Sequence, residues 1–110
     1  MKWLVFLLFL AGLSAQLLVK DLADITGDGA VHPLSATAIR ALYIIIQCPS
    51  TNSAVVRIGS ANIGSARGLQ CGLGGVVNLY PAVNGLPQYD LSKVYYLAGS
   101  GDKISVLYGQ

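Results

Sequence analysis

Hydrophobic and polar positions split the chain into an apolar front and a body of short runs. Across residues 3–19 no charge interrupts 17 consecutive positions. Beyond Lys20 the apolar residues come in runs of roughly four to eight, closed by Gly, Pro, Asn or Ser, a spacing of strands and turns rather than helices. Residues 40–47 contain Tyr43-Ile44-Ile45-Ile46, aromatic and β-branched side chains that favour a strand, and Cys48-Pro49-Ser50-Thr51-Asn52 closes it as a loop. This run is apolar on both faces. One face packs on the domain's own core, and the other needs a cover that a neighbouring subunit would supply. Residues 54–58 read as a second strand with Arg57 pointing outward, and 76–80 as another, closed by Pro81. Residues 93–98, the turn Gly99-Ser100-Gly101-Asp102 and residues 103–108 predict a β-hairpin. In its second strand Ile104, Val106 and Tyr108 share one face, while Lys103, Ser105 and Leu107 share the other.

The intervening stretches are punctuation. Ile58-Gly59-Ser60-Ala61 is echoed by Ile63-Gly64-Ser65-Ala66, an offset too short for a solenoid repeat, and predicts two short strands around a turn near Asn62. Residues 68–75 hold four glycines and Cys71 and read as a loop; Asn84-Gly85-Leu86-Pro87 is a further turn. Residues 20–38 are turn-rich, with strand character near 31–34 that Pro33 confines to a sheet edge. No amphipathic helical pattern follows residue 20. The expected fold is therefore all-β, a small antiparallel β-sandwich or jelly-roll-like barrel preceded by an N-terminal hydrophobic helix. The expected organisation is 1–19 as signal peptide or membrane anchor, 20–38 as connector and 39–110 as the β-sandwich domain.

The apolar front admits two readings. Met1-Lys2, an apolar core and the small residues Ser14 and Ala15 fit a secretory signal cleaved after Ser14 or Ala15. Retained, residues 3–19 form about 25 Å of helix, the short edge of a bilayer span, with Lys2 favouring an orientation that places the body outside the cytoplasm. Either way the domain is exported or held at membrane lipid. Cys48 and Cys71 fit that compartment: as a disulfide they would contribute roughly 3 kcal/mol through loop closure, and as free thiols they would be buried.

Composition narrows the chemistry. Charged residues make up 11% of the chain and Glu is absent, so a paired-glutamate site is out and little polar surface remains to solvate a monomer, a hint of assembly. A net charge of +2 spread over dispersed Lys and Arg argues against nucleic acid, which needs clustered cations. His32, the one histidine, stands beside Pro33 in a turn-rich stretch and reads as a solvated loop residue. The five aspartates sit at turns and strand ends, where Asp serves the backbone. Asp24, Thr26, Asp28 and Gly29 match the first half of an EF-hand-type calcium loop, but Ser35 stands where the closing carboxylate belongs, leaving a weak site. No nucleophile elbow, zinc helix or phosphate loop is present, so the chain is expected to be non-enzymatic and without cofactor. Among the tyrosines, Tyr43 and Tyr108 are expected to fill the core. At most two of Tyr80, Tyr89, Tyr95 and Tyr96 are expected at the surface, where glycan stacking is an alternative role.

Ala54-Val55-Val56-Arg57-Ile58-Gly59, Tyr89-Asp90-Leu91-Ser92-Lys93-Val94-Tyr95 and the closing Gly99-Ser100-Gly101-Asp102-Lys103-Ile104-Ser105-Val106-Leu107-Tyr108 resemble a group of small bacteriophage virion structural proteins with a β-sandwich. The resemblance covers about two-thirds of the chain. It implies a minor capsid, decoration or vertex component that forms a homo-oligomer or packs on a neighbouring capsid protein. The tailed-phage versions lack a hydrophobic leader. The apolar segment here suits a virus with an internal membrane, where such a protein ties shell to lipid. The residues expected to carry assembly are Tyr95, Leu97 and Leu107 on the hairpin, with Tyr43 or Ile45 from the isoleucine run. The alternative is a secreted β-sandwich module, periplasmic or extracellular, recognising a glycan or surface protein.

Overall fold

A computed structural model describes residues 19–80 and 89–110. The apolar segment, and with it the expected helix and lipid contact, lies outside the described residues except for Val19; the turn at 84–87 lies outside them too. The described chain is built of antiparallel β-sheet, with no helix of seven or more residues. Among these residues no helix is long and apolar enough to cross a membrane.

The strands are β1 (Val19–Asp21), β2 (Ile25–Thr26), β3 (Val31–Pro33), β4 (Arg40–Ala41), β5 (Tyr43–Gln47), β6 (Val56–Gly59), β7 (Leu69–Cys71), β8 (Val76–Leu79), β9 (Tyr89–Asp90), β10 (Tyr95–Leu97) and β11 (Lys103–Gly109), with a 3-10 turn at Leu91–Lys93. The larger sheet has the order β1-β11-β5-β8, with β2 also on β11; the smaller has the order β3-β10-β6-β7; β4 and β9 pair apart from both. Alternation decides what is buried. Ile44 and Ile46 of β5, Ile104, Val106 and Tyr108 of β11, and Val77 of β8 point inward from the larger sheet. They meet Val56 and Ile58 of β6, Tyr96 of β10 and Cys71 of β7 in one continuous apolar cluster.

Apart from β1, each strand of the larger sheet is followed or preceded in sequence by the strand at the corresponding place in the smaller one: β2 with β3, β11 with β10, β5 with β6, β8 with β7. Four connections therefore arch from sheet to sheet, and they are tied side by side. The β2–β3 arch meets the β10–β11 arch through Gly27 N to Asp102 O (2.7 Å), Gly101 N to Gly27 O (3.1 Å) and Gly29 N to Ala98 O (2.9 Å). Asn52, in the β5–β6 arch, gives its amide to Lys103 O and accepts from Lys103 N, both at 2.8 Å. Cys48 N donates to Gly75 O (2.9 Å), and a Cys48–Cys71 disulfide joins the end of β5 to β7 with the Cα atoms 6.1 Å apart.

Several expectations change. The C-terminal hairpin does not form: β10 is flanked by β3 and β6, and β11 by β5 on one side and β1 with β2 on the other. Each strand's two edges are already paired, so residues 99–102 carry the chain to the opposite sheet. The isoleucine strand is interrupted at Leu42, whose N–H donates to Gly109 O, and β4 turns away to pair with β9. Residues 63–66 are not a strand. Ile63 is buried beside Gly59 and Gly68, and the chain closes through a Gly64–Arg67 bridge. The glycine-rich stretch expected as a loop contains β7, held by β6. Residues 20–38, expected as a connector, supply β2, β3 and most of β1 to the two sheets, with β3 at an edge, where Pro33 costs no ladder bond.

Candidate assembly surface

Side chains directly opposite one another in an antiparallel ladder share a face, so the register of the larger sheet writes out its outer surface row by row. One row runs Asp21, Leu107, Ile45, Asn78. The next holds Ser105, Gln47 and Val76, and Asp24 joins it by accepting a hydrogen bond from the Ser105 hydroxyl at 3.2 Å. On the other side of Leu107 and Ile45 lies the row Val19, Gly109, Tyr43, where the Tyr43 ring covers Gly109 so closely that no Cβ would fit there.

Three of the five expected assembly residues, Tyr43, Ile45 and Leu107, thus lie on one face. Each is half-buried by its neighbours and covered by no other layer of the described chain. Leu107 and Ile45 floor a concavity of about 530 Å3, with Asp21 and Asp24 along one side and Gln47 and Ser105 along another. The far edge is β8, where Val76 is 51% exposed, and Tyr80 just beyond it is 62% exposed. Leu69 and Leu73 are exposed next to it, on β7 and the arch that follows. No charged residue occurs in 68–89. The pattern of 76–80 predicts the strand β8 but not its place at a sheet edge, and β7 beside it falls in the stretch expected as a loop; the missing charge is the available signal, since solvated sheet edges are normally guarded by Lys or Pro.

The remaining expected residues are placed elsewhere. Tyr95 and Leu97 lie on the outer face of the smaller sheet, in rows with Pro33 and with Val31 and Arg57, so the five do not form one patch. Arg57 is occupied locally: its guanidinium donates to Gly68 O at 3.2 Å and Ser65 O at 3.0 Å, holding the β6–β7 connection. Tyr108 is buried as expected; Tyr43, expected in the core, is half-buried on the outer face because it alternates with the inward Ile44; and Tyr96 is the second core-facing tyrosine. Burial, with a smaller contribution from the Asp28 carboxylate, raises the pKa of Tyr96.

Asp24 and Asp28 do not converge as the calcium loop requires. Asp24 is bonded to β11, whereas Asp28 accepts from Ala30 N (2.9 Å) and pairs with His32 Nε2 (2.8 Å). His32 is accordingly not a free loop residue; it belongs to β3 and lies 6.0 Å, centroid to centroid, from the Tyr96 ring. The backbone role expected of the aspartates is visible at three of them. Asp28 is held below the ordinary carboxylate value first by the Ala30 N–H and then by His32. Asp90 is lowered chiefly by the Ser92 hydroxyl and the Ser92 N–H as it caps the 3-10 turn. Asp102, 5% exposed, accepts from Ser53 N (2.8 Å), the Ser53 hydroxyl and Ala54 N (3.3 Å), and the Ser53 N–H is the largest cause of its lowered pKa. Among the described residues no three His, Cys, Asp or Glu side chains gather where a metal would sit. Comparison with protein-family profiles, curated proteins and solved structures finds no match to the chain.

Proposed function

We propose that this chain is a non-enzymatic structural protein of a virion, a minor capsid, decoration or vertex component. In this reading residues 3–19 sit in membrane lipid and the body packs on a second copy or a neighbouring capsid protein. The observation that carries the reading is the outer face of the larger sheet, where Tyr43, Ile45 and Leu107 form an apolar strip that ends at the uncharged β8 edge. Such a strip on a small domain with few charges is stabilised by a covering neighbour. The strand order supports a jelly-roll β-sandwich, an architecture used by viral capsid domains and also by lectins, so the fold alone does not choose the role. Commitment of three aspartates to backbone N–H groups supports a structural rather than a catalytic use of the scarce charge. The disulfide supports an oxidising compartment.

A second reading, a secreted binding module, is favoured by the concavity, whose 530 Å3 falls within the roughly 300–1,000 Å3 of ligand pockets. Intact mass of the protein recovered from its producing cells and from purified particles, under non-reducing conditions, separates the two. The virion reading expects the chain in the particles, with a mass that includes residues 1–15. A mass starting at Ala15 or Gln16, found only in the medium, replaces it with the secreted module.

A further inference from the structure

The concavity on the outer face of the larger sheet is polarised, and Lys103, turned out on the same face of β11, stands outside its lining. Its centre is apolar, with Leu107 and Ile45 as cross-strand partners flooring the concavity. One rim carries Asp21 and Asp24, two of the chain's five acidic residues, and no Lys, Arg or His lines the cavity. Neither carboxylate forms an ion pair among the described residues, where the single such pair is His32 with Asp28. The Ser105 hydroxyl donates to one oxygen of Asp24 and leaves that carboxylate further acceptor sites, while Gln47 adds a neutral donor and acceptor beside the floor.

We infer that the concavity receives an extended segment of a partner protein bearing a lysine or arginine. The side-chain stem lies over Leu107 and Ile45, and the cationic head reaches the rim formed by Asp21 and Asp24. The inference rests on reading this face as an assembly surface, and it names the chemistry of what the face takes.

Complementarity selects this occupant. An anionic segment meets two like charges. A purely apolar one would take water from both exposed carboxylates and leave Asp24 only the Ser105 hydroxyl and Asp21 no charged partner, which costs more than the apolar contact returns. A cationic side chain satisfies both halves at once, because Lys and Arg lay a flexible methylene stem on apolar surface and keep the charge at its end. The distances agree: β1 and β5 are separated by β11 alone, so Asp21 and Ile45 are about 10 Å apart at ordinary strand spacing. A stem crossing Ile45 and Leu107 therefore ends at the rim.

The test uses the full-length chain, isotope-labelled in neutral detergent micelles, titrated with the blocked peptide Ac-Thr-Lys-Val-Lys-Thr-NH2 and with its counterpart in which both lysines are glutamates. The expected result is amide shift changes centred on Asp21, Asp24, Ile45, Ser105 and Leu107 with the lysine peptide and none with the glutamate peptide. The Asp21→Asn/Asp24→Asn variant, checked by circular dichroism for an unchanged fold, should bind at least about tenfold more weakly as the charge-assisted bonds are lost. The inference is overturned if the two peptides act alike, if the shifts map elsewhere, or if the double variant binds like the parent. It is also overturned if the same amides respond to protein concentration alone, which would make the occupant a second copy. An Ile45→Ser variant, cross-linked in purified particles, reports on the surface itself. If it loses its cross-links while the lysine peptide fails to bind the parent, the assembly surface stands and the cationic occupant falls. If its cross-links are unchanged, the assembly reading falls whatever the peptide does.

Discussion

A Cβ on Gly27 would lie 2.5 Å from the Cβ of Ala98 and 2.6 Å from the carbonyl oxygens of Ala98 and Gly99, with its own N–H donating to Asp102 O. Two arches meet at this residue, and the backbone on both sides is held by hydrogen bonds, so neither can retreat. Gly27→Ala is expected to destabilise by about 1–3 kcal/mol, the cost of overpacking a closed site, read as a lower Tm with an unchanged far-ultraviolet spectrum. Asp102 acts at the same corner through charge. Its folded pKa lies below the ordinary 3.8, as do those of Asp28 and Asp90. In each case the unfolded chain binds the proton more readily, so the stabilisation is complete above the unfolded value and is lost as pH falls through the folded one. Thermal melts from pH 6 downward should hold their Tm until about pH 4 and fall below it. Asp102→Asn should lower the Tm at neutral pH and flatten that acid limb, because a side-chain amide cannot accept from Ser53 and Ala54 with both of its heavy atoms. A variant whose acid limb matched the parent's would remove Asp102 from the account.

At the level of elements, strand identity was legible wherever alternation or β-branching is strong. β11 buries Ile104, Val106 and Tyr108 and turns out Lys103, Ser105 and Leu107, as its pattern demands, and the isoleucine run forms β5. Partners were not legible. Gly99-Ser100-Gly101-Asp102 marks where the chain reverses, and the same residues serve a hairpin or an arch; the outcome depends on which distant strands fill the two edges of β10 and β11. Short strands without a strong pattern were lost for a related reason. Leu69-Gln70-Cys71 has too few residues to show a period, and β6 together with the disulfide holds it in a sheet. Arg57 illustrates a local contact of this kind. It projects from β6 over the following connection and replaces missing ladder bonds with guanidinium bonds to two carbonyls. Arg57→Ala should cost about 1 kcal/mol, since these bonds are charge-assisted but solvent-screened, and should speed amide exchange across residues 64–69 while leaving β11 unchanged. Uniform acceleration throughout the sheets would show that Arg57 supports the whole core instead.

Taken as a whole, the molecule is two main sheets in which four strands of one correspond to the four of the other through four arches, and this arrangement explains how the candidate surface was only half visible. Parity along a strand separates inward from outward residues, which was enough to select Tyr95, Leu97 and Leu107 as outward-facing; the isoleucine run, apolar on both faces, left Tyr43 and Ile45 as candidates without an assigned face. Parity carries no information on which sheet a strand joins, so Tyr95 and Leu97 fall on the opposite face. Asp21 and Asp24 could not be assigned to the rim for the same reason: β1, which ends at Asp21, and β2, which follows Asp24, reach β11 from the far end of the sequence. Besides the arches of the chain itself, the disulfide is the covalent cross-link between the sheets among the described residues. Cys48 and Cys71 are 0% and 1% exposed, so reductant reaches them only when the arches open. Their separation of 23 residues closes a loop spanning β6 and β7, and loop-closure entropy sets the loss on replacing both by serine at about 3 kcal/mol. That is a large share of the roughly 5–15 kcal/mol that keeps a small domain folded. The double serine variant should therefore melt well below the parent. In the parent, thiol trapping under reductant should proceed at the rate of arch opening rather than at the rate of free disulfide exchange. Rapid reduction of the folded protein with no change in Tm would place the stability in the hydrogen-bonded arches alone, and Gly27→Ala would then become the more damaging change.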